Sequence, residues 1–73
     1  MTQTVTATYL DLMKATNAYD ELISKNFPRE KLHFDKEANQ IKVIVPDESK
    51  PEAEEILSRH QPDDLWSRPF EQH

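Results

Sequence analysis

Residues 4–9 read TVTATY. Threonine alternates there with Val5 and Ala7, and β-branched residues dominate, so the stretch is predicted to be a strand with Val5, Ala7 and Tyr9 on one face. This assignment decides the fold. Read instead as the first turn of the following helix, the same residues would leave only a two-stranded hairpin packed on two helices, which buries less and stands alone less well.

Beyond Leu10 the period changes. Leu12, Ala15, Ala18, Tyr19, Leu22 and Ile23 recur at steps of three and four, the stripe of an amphipathic helix, with Asp11 as its N-cap. Small Ala15 and Ala18 predict a helix lying close on a sheet. The helix is expected to stop at about Lys25. Asn26 can take the left-handed turn that glycine usually supplies, and Pro28 cannot continue the helix and biases Phe27 toward extended geometry. Phe27 is expected to fold back over the helix end. Residues 31–35 then alternate, with Leu32 and Phe34 inward and Lys31, His33 and Asp35 outward.

A polar connection, residues 36–39, has hairpin length, and Asn39 is its residue best suited to positive φ. Residues 40–45 form the clearest strand, with Ile41, Val43 and Val45 on one face, and Pro46 ends it. Ser49 and Glu52 have capping-box spacing, so a second helix is predicted to start near Ser49, with Ala53, Ile56, Leu57 and His60 as its buried stripe. Gln61-Pro62 closes that helix. Residues 63–68 are assigned a short last strand, and residues 69–73 a frayed tail.

Strand, helix, strand, strand, helix, strand is the split βαβ, or ferredoxin-like, order (βαββαβ). The predicted fold class is α+β: a four-stranded antiparallel sheet with two helices on one face and the other face open. The 73 residues make a single small domain, with an ordered core over about 4–68. A domain of this size hides only about 60% of its unfolded surface, which argues against a deep catalytic cleft.

Composition excludes more than it identifies. The chain has no cysteine and no glycine. The first absence removes disulfides, thiolate nucleophiles and thiolate metal sites, and points to the cytoplasm. The second excludes glycine-rich phosphate loops and passes positive-φ positions to Asn26 and Asn39. The net charge is −5; residues 47–73 hold eight acids against three bases, while residues 1–46 balance six against six. Such a surface repels phosphate backbones, so nucleic-acid and anionic-membrane binding are disfavoured. Neither a basic apolar leader nor a membrane span is read from the chain, whose longest aliphatic run is Val43-Ile44-Val45.

With these elements in place, residues 4–34, including ATNAYDEL and NFPREKLHF, together with IKVIVPDE and AEEILSRHQPDDLWSR in the second half, resemble the small ferredoxin-like domain of bacterial heat-induced and general stress proteins. The likeness covers about residues 4–68. It departs at Asn26, which stands at the family's usual glycine, at HQP in place of a His-Gly-Ala-like turn, and at an unusually short hairpin. It implies the fold and an association with stress, and carries no catalytic residues.

No compact catalytic or metal-binding pattern emerges. His33, His60 and His73 lack ligand spacing, Asp63 and Asp64 point to opposite faces of a strand, and Glu54 and Glu55 diverge around a helix. The expectation is therefore a non-enzymatic chain with no cofactor. What stands out is the open face, where His33, Lys42, Ile44 and Trp66 form the candidate contact surface beside Thr4, Thr6 and Lys31, Trp being favoured at binding hot spots. The expected role is a small interaction or regulatory module for a protein partner or a homodimer. Two alternatives are a single-stranded nucleic-acid binder on the open sheet and an acidic, antitoxin-like protein whose residues 61–73 wrap a partner. Against the open face stands the possibility that Trp66 merely covers the edge of the core.

Overall fold

The threonine-rich segment is a strand. In the computed structural model, which describes residues 1–69, it forms β1 (Thr2–Thr8) and is followed by α1 (Leu12–Ser24), β2 (Leu32–Asp35), β3 (Gln40–Pro46), α2 (Lys50–Arg59) and β4 (Asp64–Pro69). The sheet order is β2-β3-β1-β4, with every neighbouring pair antiparallel. This is the ferredoxin-like arrangement, with β1 and β3 central. Residues 64–69, which the partner-wrapping alternative needs free, pair with β1 from Thr8↔Asp64 to Gln3↔Pro69. Pro69 belongs to that strand rather than to a frayed end; the rest of the expected tail, residues 70–73, lies outside the described residues.

Period-two alternation sorts the strands into two faces. Val5, Ala7, Leu32, Ile41, Val43 and Val45 are buried in one cluster with Ala15, Ala18 and Leu22 of α1 and Ala53, Ile56 and Leu57 of α2. Both helices therefore cover the same side. The alanines let α1 approach the strands closely, and Tyr19 packs on Phe34 with ring centroids 5.2 Å apart.

The ends of α1 are set by its residues. Asp11 is extended (φ −136°) and its carboxylate accepts from the Lys14 amide at 2.8 Å. At the other end Asn26 has φ 71°; its amide donates to the Ile23 carbonyl (3.0 Å) and the Phe27 amide to the Leu22 carbonyl (3.1 Å). This pair of bonds is the Schellman motif, with asparagine in the left-handed position and Phe27 buried. Asn39 takes φ 52° in the β2–β3 connection, where the Asp35 carboxylate accepts from the amides of Glu37 and Ala38.

Several details depart from the sequence reading. Leu12 is 48% exposed and lies off the buried stripe; α1 turns Ala15, Ala18 and Leu22 inward, which rotates its first residue toward solvent. Lys31 belongs to a 3-10 turn (Arg29–Lys31), so β2 starts at Leu32. The Ser49–Glu52 capping box does not form: another 3-10 turn (Asp47–Ser49) leads directly into α2, leaving Ser49 in helical conformation with no side-chain cap bond.

The end of α2 has a geometry that its sequence does not announce. Gln61 has φ 58°, the left-handed position in which a chain with glycine would place one. Its amide donates to the Ser58 carbonyl at 3.2 Å, the first bond of a second Schellman motif. The second bond cannot form, because Pro62 has no amide to offer Leu57. That carbonyl accepts instead from the Tyr9 hydroxyl at 2.8 Å and from the His60 amide at 3.3 Å.

Candidate protein-contact face

Strand register lays the open face out in transverse rows. Thr6 of β1 stands opposite Trp66 of β4 on one side and Lys42 of β3 on the other, and Lys42 stands opposite His33 of β2. Trp66, Thr6, Lys42 and His33 thus form one line across all four strands. One row along, Arg68, Thr4 and Ile44 are aligned; on the other side, so are Asp64, Thr8, Gln40 and Asp35.

The four candidate residues therefore come together, three in a single row and Ile44 two residues from Lys42 on the same strand face. His33 and Lys42 are exposed, and Ile44 and Trp66 half-buried. Thr6, between Trp66 and Lys42, is only 4% exposed although it faces away from the helices. In-register neighbours on one face have Cβ atoms about 5 Å apart, so the long flanking side chains cover the short one. Trp66 lies outside the cluster that packs beneath the helices, whereas its neighbour Leu65 packs against it. The reading in which Trp66 caps the core edge thus gives way to one in which it belongs to the open face. A depression of about 340 Å³ lies there, lined by Thr4, Thr6, Lys42, Trp66 and Arg68 among others.

Charge separates the two sides of the molecule. The middle of the open face carries Lys42, Arg68 and His33, with Asp35 and Asp64 confined to the last row. The helical side carries Asp47, Glu48, Glu52, Glu54 and Glu55 in α2 and its lead-in turn, against Lys50 and Arg59.

The histidines are placed by different elements. His33 and Asp35 share the open face of β2, but their in-register neighbours are Lys42 and Gln40, and the Asp35 carboxylate is held by hairpin amides. His60 meets Glu21 of α1 at 2.7 Å, and Arg59 bridges Glu21 and Glu55 at 2.5 and 2.6 Å. The His60 hydrogen bond, aided by the Arg59 charge, holds the Glu21 carboxyl below its ordinary value. This group ties α1 to α2 on the side away from the open face. His73 lies outside the described residues. Among the described residues no three His, Asp or Glu side chains are grouped as metal ligands, and no helix is long and apolar enough to cross a membrane.

Sequence reasoning missed a second exposed feature. Leu10 and Met13, 75% and 74% exposed, stand at the turn between β1 and α1. Only the rotation of α1 reveals them, since Met13 falls outside the helical stripe and Leu10 lies between two elements. No family model matches the chain, and neither a curated protein nor a solved structure matches it.

Proposed function

We propose that this chain is a small non-enzymatic interaction module that docks a protein partner on its open sheet face. The observation that carries the reading is the row Trp66–Thr6–Lys42–His33, which brings an aromatic ring, a cation and a titratable imidazole into one line on rigid strands. Half-buried Trp66 and Ile44 supply apolar area, and Lys42 and Arg68 supply orientation, the division of labour found in compact protein interfaces. The partner chemistry that complements the middle of the face is an acidic surface with an apolar centre. A cytoplasmic, stress-linked role belongs to the same proposal and is supported by the resemblance of residues 4–68 to the stress-protein domain.

The nucleic-acid alternative is less well served by this face. A base-stacking sheet uses aromatic rings on central strands, whereas β1 and β3 present Thr4, Thr6, Lys42 and Ile44, and among the described residues the rings of this face, Trp66 and His33, stand on the edge strands β4 and β2.

The test compares proteins retained from cell extract by the wild-type chain with those retained by Trp66→Ala and Lys42→Glu, followed by amide-shift mapping with the purified partner. A partner lost in both variants, with shifts centred on residues 4, 6, 42, 44 and 66, is the expected result. Shifts confined to the helices or to the Leu10–Met13 turn would overturn it.

A further inference from the structure

We infer that the outer edge of β4 is a self-complementary seam through which two copies of this chain pair, antiparallel, into one continuous sheet. The seam shares Trp66 with the face proposed above, and rests on that reading only for what the enlarged face then does. Its own foundation is the edge.

β4 is an edge strand. The Leu65 amide donates not to β1 but to the Asp64 carboxylate, at 2.9 Å. The Tyr9 amide donates to the Asn39 carbonyl and the Asp47 amide to the Met1 carbonyl, so odd-numbered positions of β1 bond β3 and even-numbered ones bond their even-numbered partners on β4. Within β4 the odd-numbered residues therefore turn their backbone groups away from the sheet; Asp63, just before the strand, breaks the alternation. Leu65 and Ser67 thus offer amides and carbonyls to a second strand. The offer is bounded at both ends. Pro69 has no amide, and the Asp63 amide is already held by the Thr8 carbonyl at 2.7 Å.

An antiparallel pair centred on Trp66 uses this stretch fully. Leu65 then bonds with Ser67 of the second copy, and Ser67 with its Leu65. The side chains of the closer, non-bonded positions meet directly: Trp66 against Trp66, Asp64 against Arg68, and Arg68 against Asp64. Asp64 and Arg68 make no ion pair among the described residues, so the pairing gives each an opposite charge. The Asp64 carboxylate exchanges its hold on the Leu65 amide for the guanidinium of the second copy.

The other sheet edge is poorer in all these respects. β2 has four residues, Lys31 falls in the preceding 3-10 turn, and Asp35 is committed to the amides of Glu37 and Ala38 at 3.1 and 3.3 Å. A centred pair there would also set His33 against His33.

A two-fold axis perpendicular to the sheet keeps both open faces on the same side. The central row becomes His33, Lys42, Thr6, Trp66, then Trp66, Thr6, Lys42, His33, with the helices of both copies behind it. Five residues a side bury less than the ~1,200 Å² of a standard stable interface, so the dissociation constant is expected on the order of 100 µM.

Sedimentation equilibrium of the full chain up to millimolar concentration tests the seam. The expected result is a monomer–dimer equilibrium, weakened about tenfold by Asp64→Arg or by Arg68→Asp alone and restored by the two together, because only the double substitution recreates opposite charges across the axis. In an isotope-mixed sample, contacts between the Leu65 and Ser67 amides of different copies are expected. Lys42→Glu leaves this equilibrium unchanged while abolishing partner docking, which separates the seam from the face. A chain that stays monomeric at millimolar concentration overturns the inference. So does a dimer that Lys42→Glu disrupts, or one that the double charge swap does not restore while circular dichroism shows the variant folded.

Discussion

Tyr9 donates its hydroxyl to the carbonyl of Leu57, 48 residues away in sequence and 2.8 Å away in space. Tyr9 stands just past the central strand β1, and Leu57 lies in the last full turn of α2, where Pro62 cannot supply the amide that would close the helix. The two features complete one another. A proline at the helix end is compatible with burial because a side chain from another element adds a short hydrogen bond to an oxygen whose other bond, from the His60 amide, is long at 3.3 Å.

Tyr9→Phe should therefore cost about 0.5–1.5 kcal/mol, since it removes a buried hydrogen bond at nearly constant volume and leaves the Leu57 carbonyl with the longer bond from the His60 amide, at 3.3 Å. Urea unfolding measures the loss. In a Pro62→Ala background an amide becomes available at position 62, and the cost of Tyr9→Phe should shrink; a double-mutant cycle with no coupling would refute the complementarity.

The same residue makes stability fall at high pH. Burial pushes the Tyr9 phenol above its ordinary value of 10.0. A group that holds its proton more tightly when folded contributes stability in full below its unfolded pKa and loses it as pH rises beyond that value. Between pH 9 and 11 the wild type should lose stability more steeply than Tyr9→Phe, a difference that unfolding midpoints will read.

Gln61→Gly should raise stability. At φ 58° the glutamine Cβ is strained by about 1–2 kcal/mol, while glycine gives back about 0.5–1 kcal/mol through a more flexible unfolded chain. The expected net gain of about 0.5–1 kcal/mol corresponds to a rise of a few degrees in Tm. A fall in Tm would show that the glutamine side chain, whose oxygen accepts from Lys14 at 3.4 Å, matters more than its backbone.

Acid should loosen the contact between the helices. The Glu21 carboxyl is held below its ordinary value by His60 and Arg59, so its contribution is present above the unfolded carboxylate pKa and is lost as pH falls through the folded one. Glu21→Gln should flatten the acid limb of stability below about pH 5 and leave the Tyr9 limb unaltered. Parallel acid limbs in the two proteins would count against the assignment.

Leu12 and Leu22 share one helical stripe in sequence, yet truncation should separate them. Leu22 is fully buried, so Leu22→Ala should cost about 2–5 kcal/mol. Leu12→Ala should cost less than about 1 kcal/mol.

That contrast shows where the fold could be read in the sequence and where it could not. β1 and β3 were legible because alternation leaves one set of residues to bury, and Asn26 and Asn39 were legible because a chain without glycine has few other left-handed residues. Gln61 carries no such signal, since glutamine has no preference for positive φ and the proline after it biases it toward extended backbone. The capping box at Ser49 was a sound local pattern overridden by the 3-10 turn ahead of it. On the open face, alternation alone assigned His33, Lys42, Ile44 and Trp66 to one side. The alignment of three of them across four strands depends on hairpin offset and on β4 starting at Asp64, which are fixed by pairing and not by any single segment.

The register that sets Gln3 opposite Pro69 also brings the first and last described strands side by side. A short covalent bridge between them, with the backbone reopened at the β2–β3 hairpin, would give a circular permutant with the same sheet. In that permutant β4 and β1 would be a local hairpin, while β2 and β3 would become the distant pair. Shifting loop-closure entropy from one edge of the sheet to the other would reveal which pairing limits the rate at which this topology assembles.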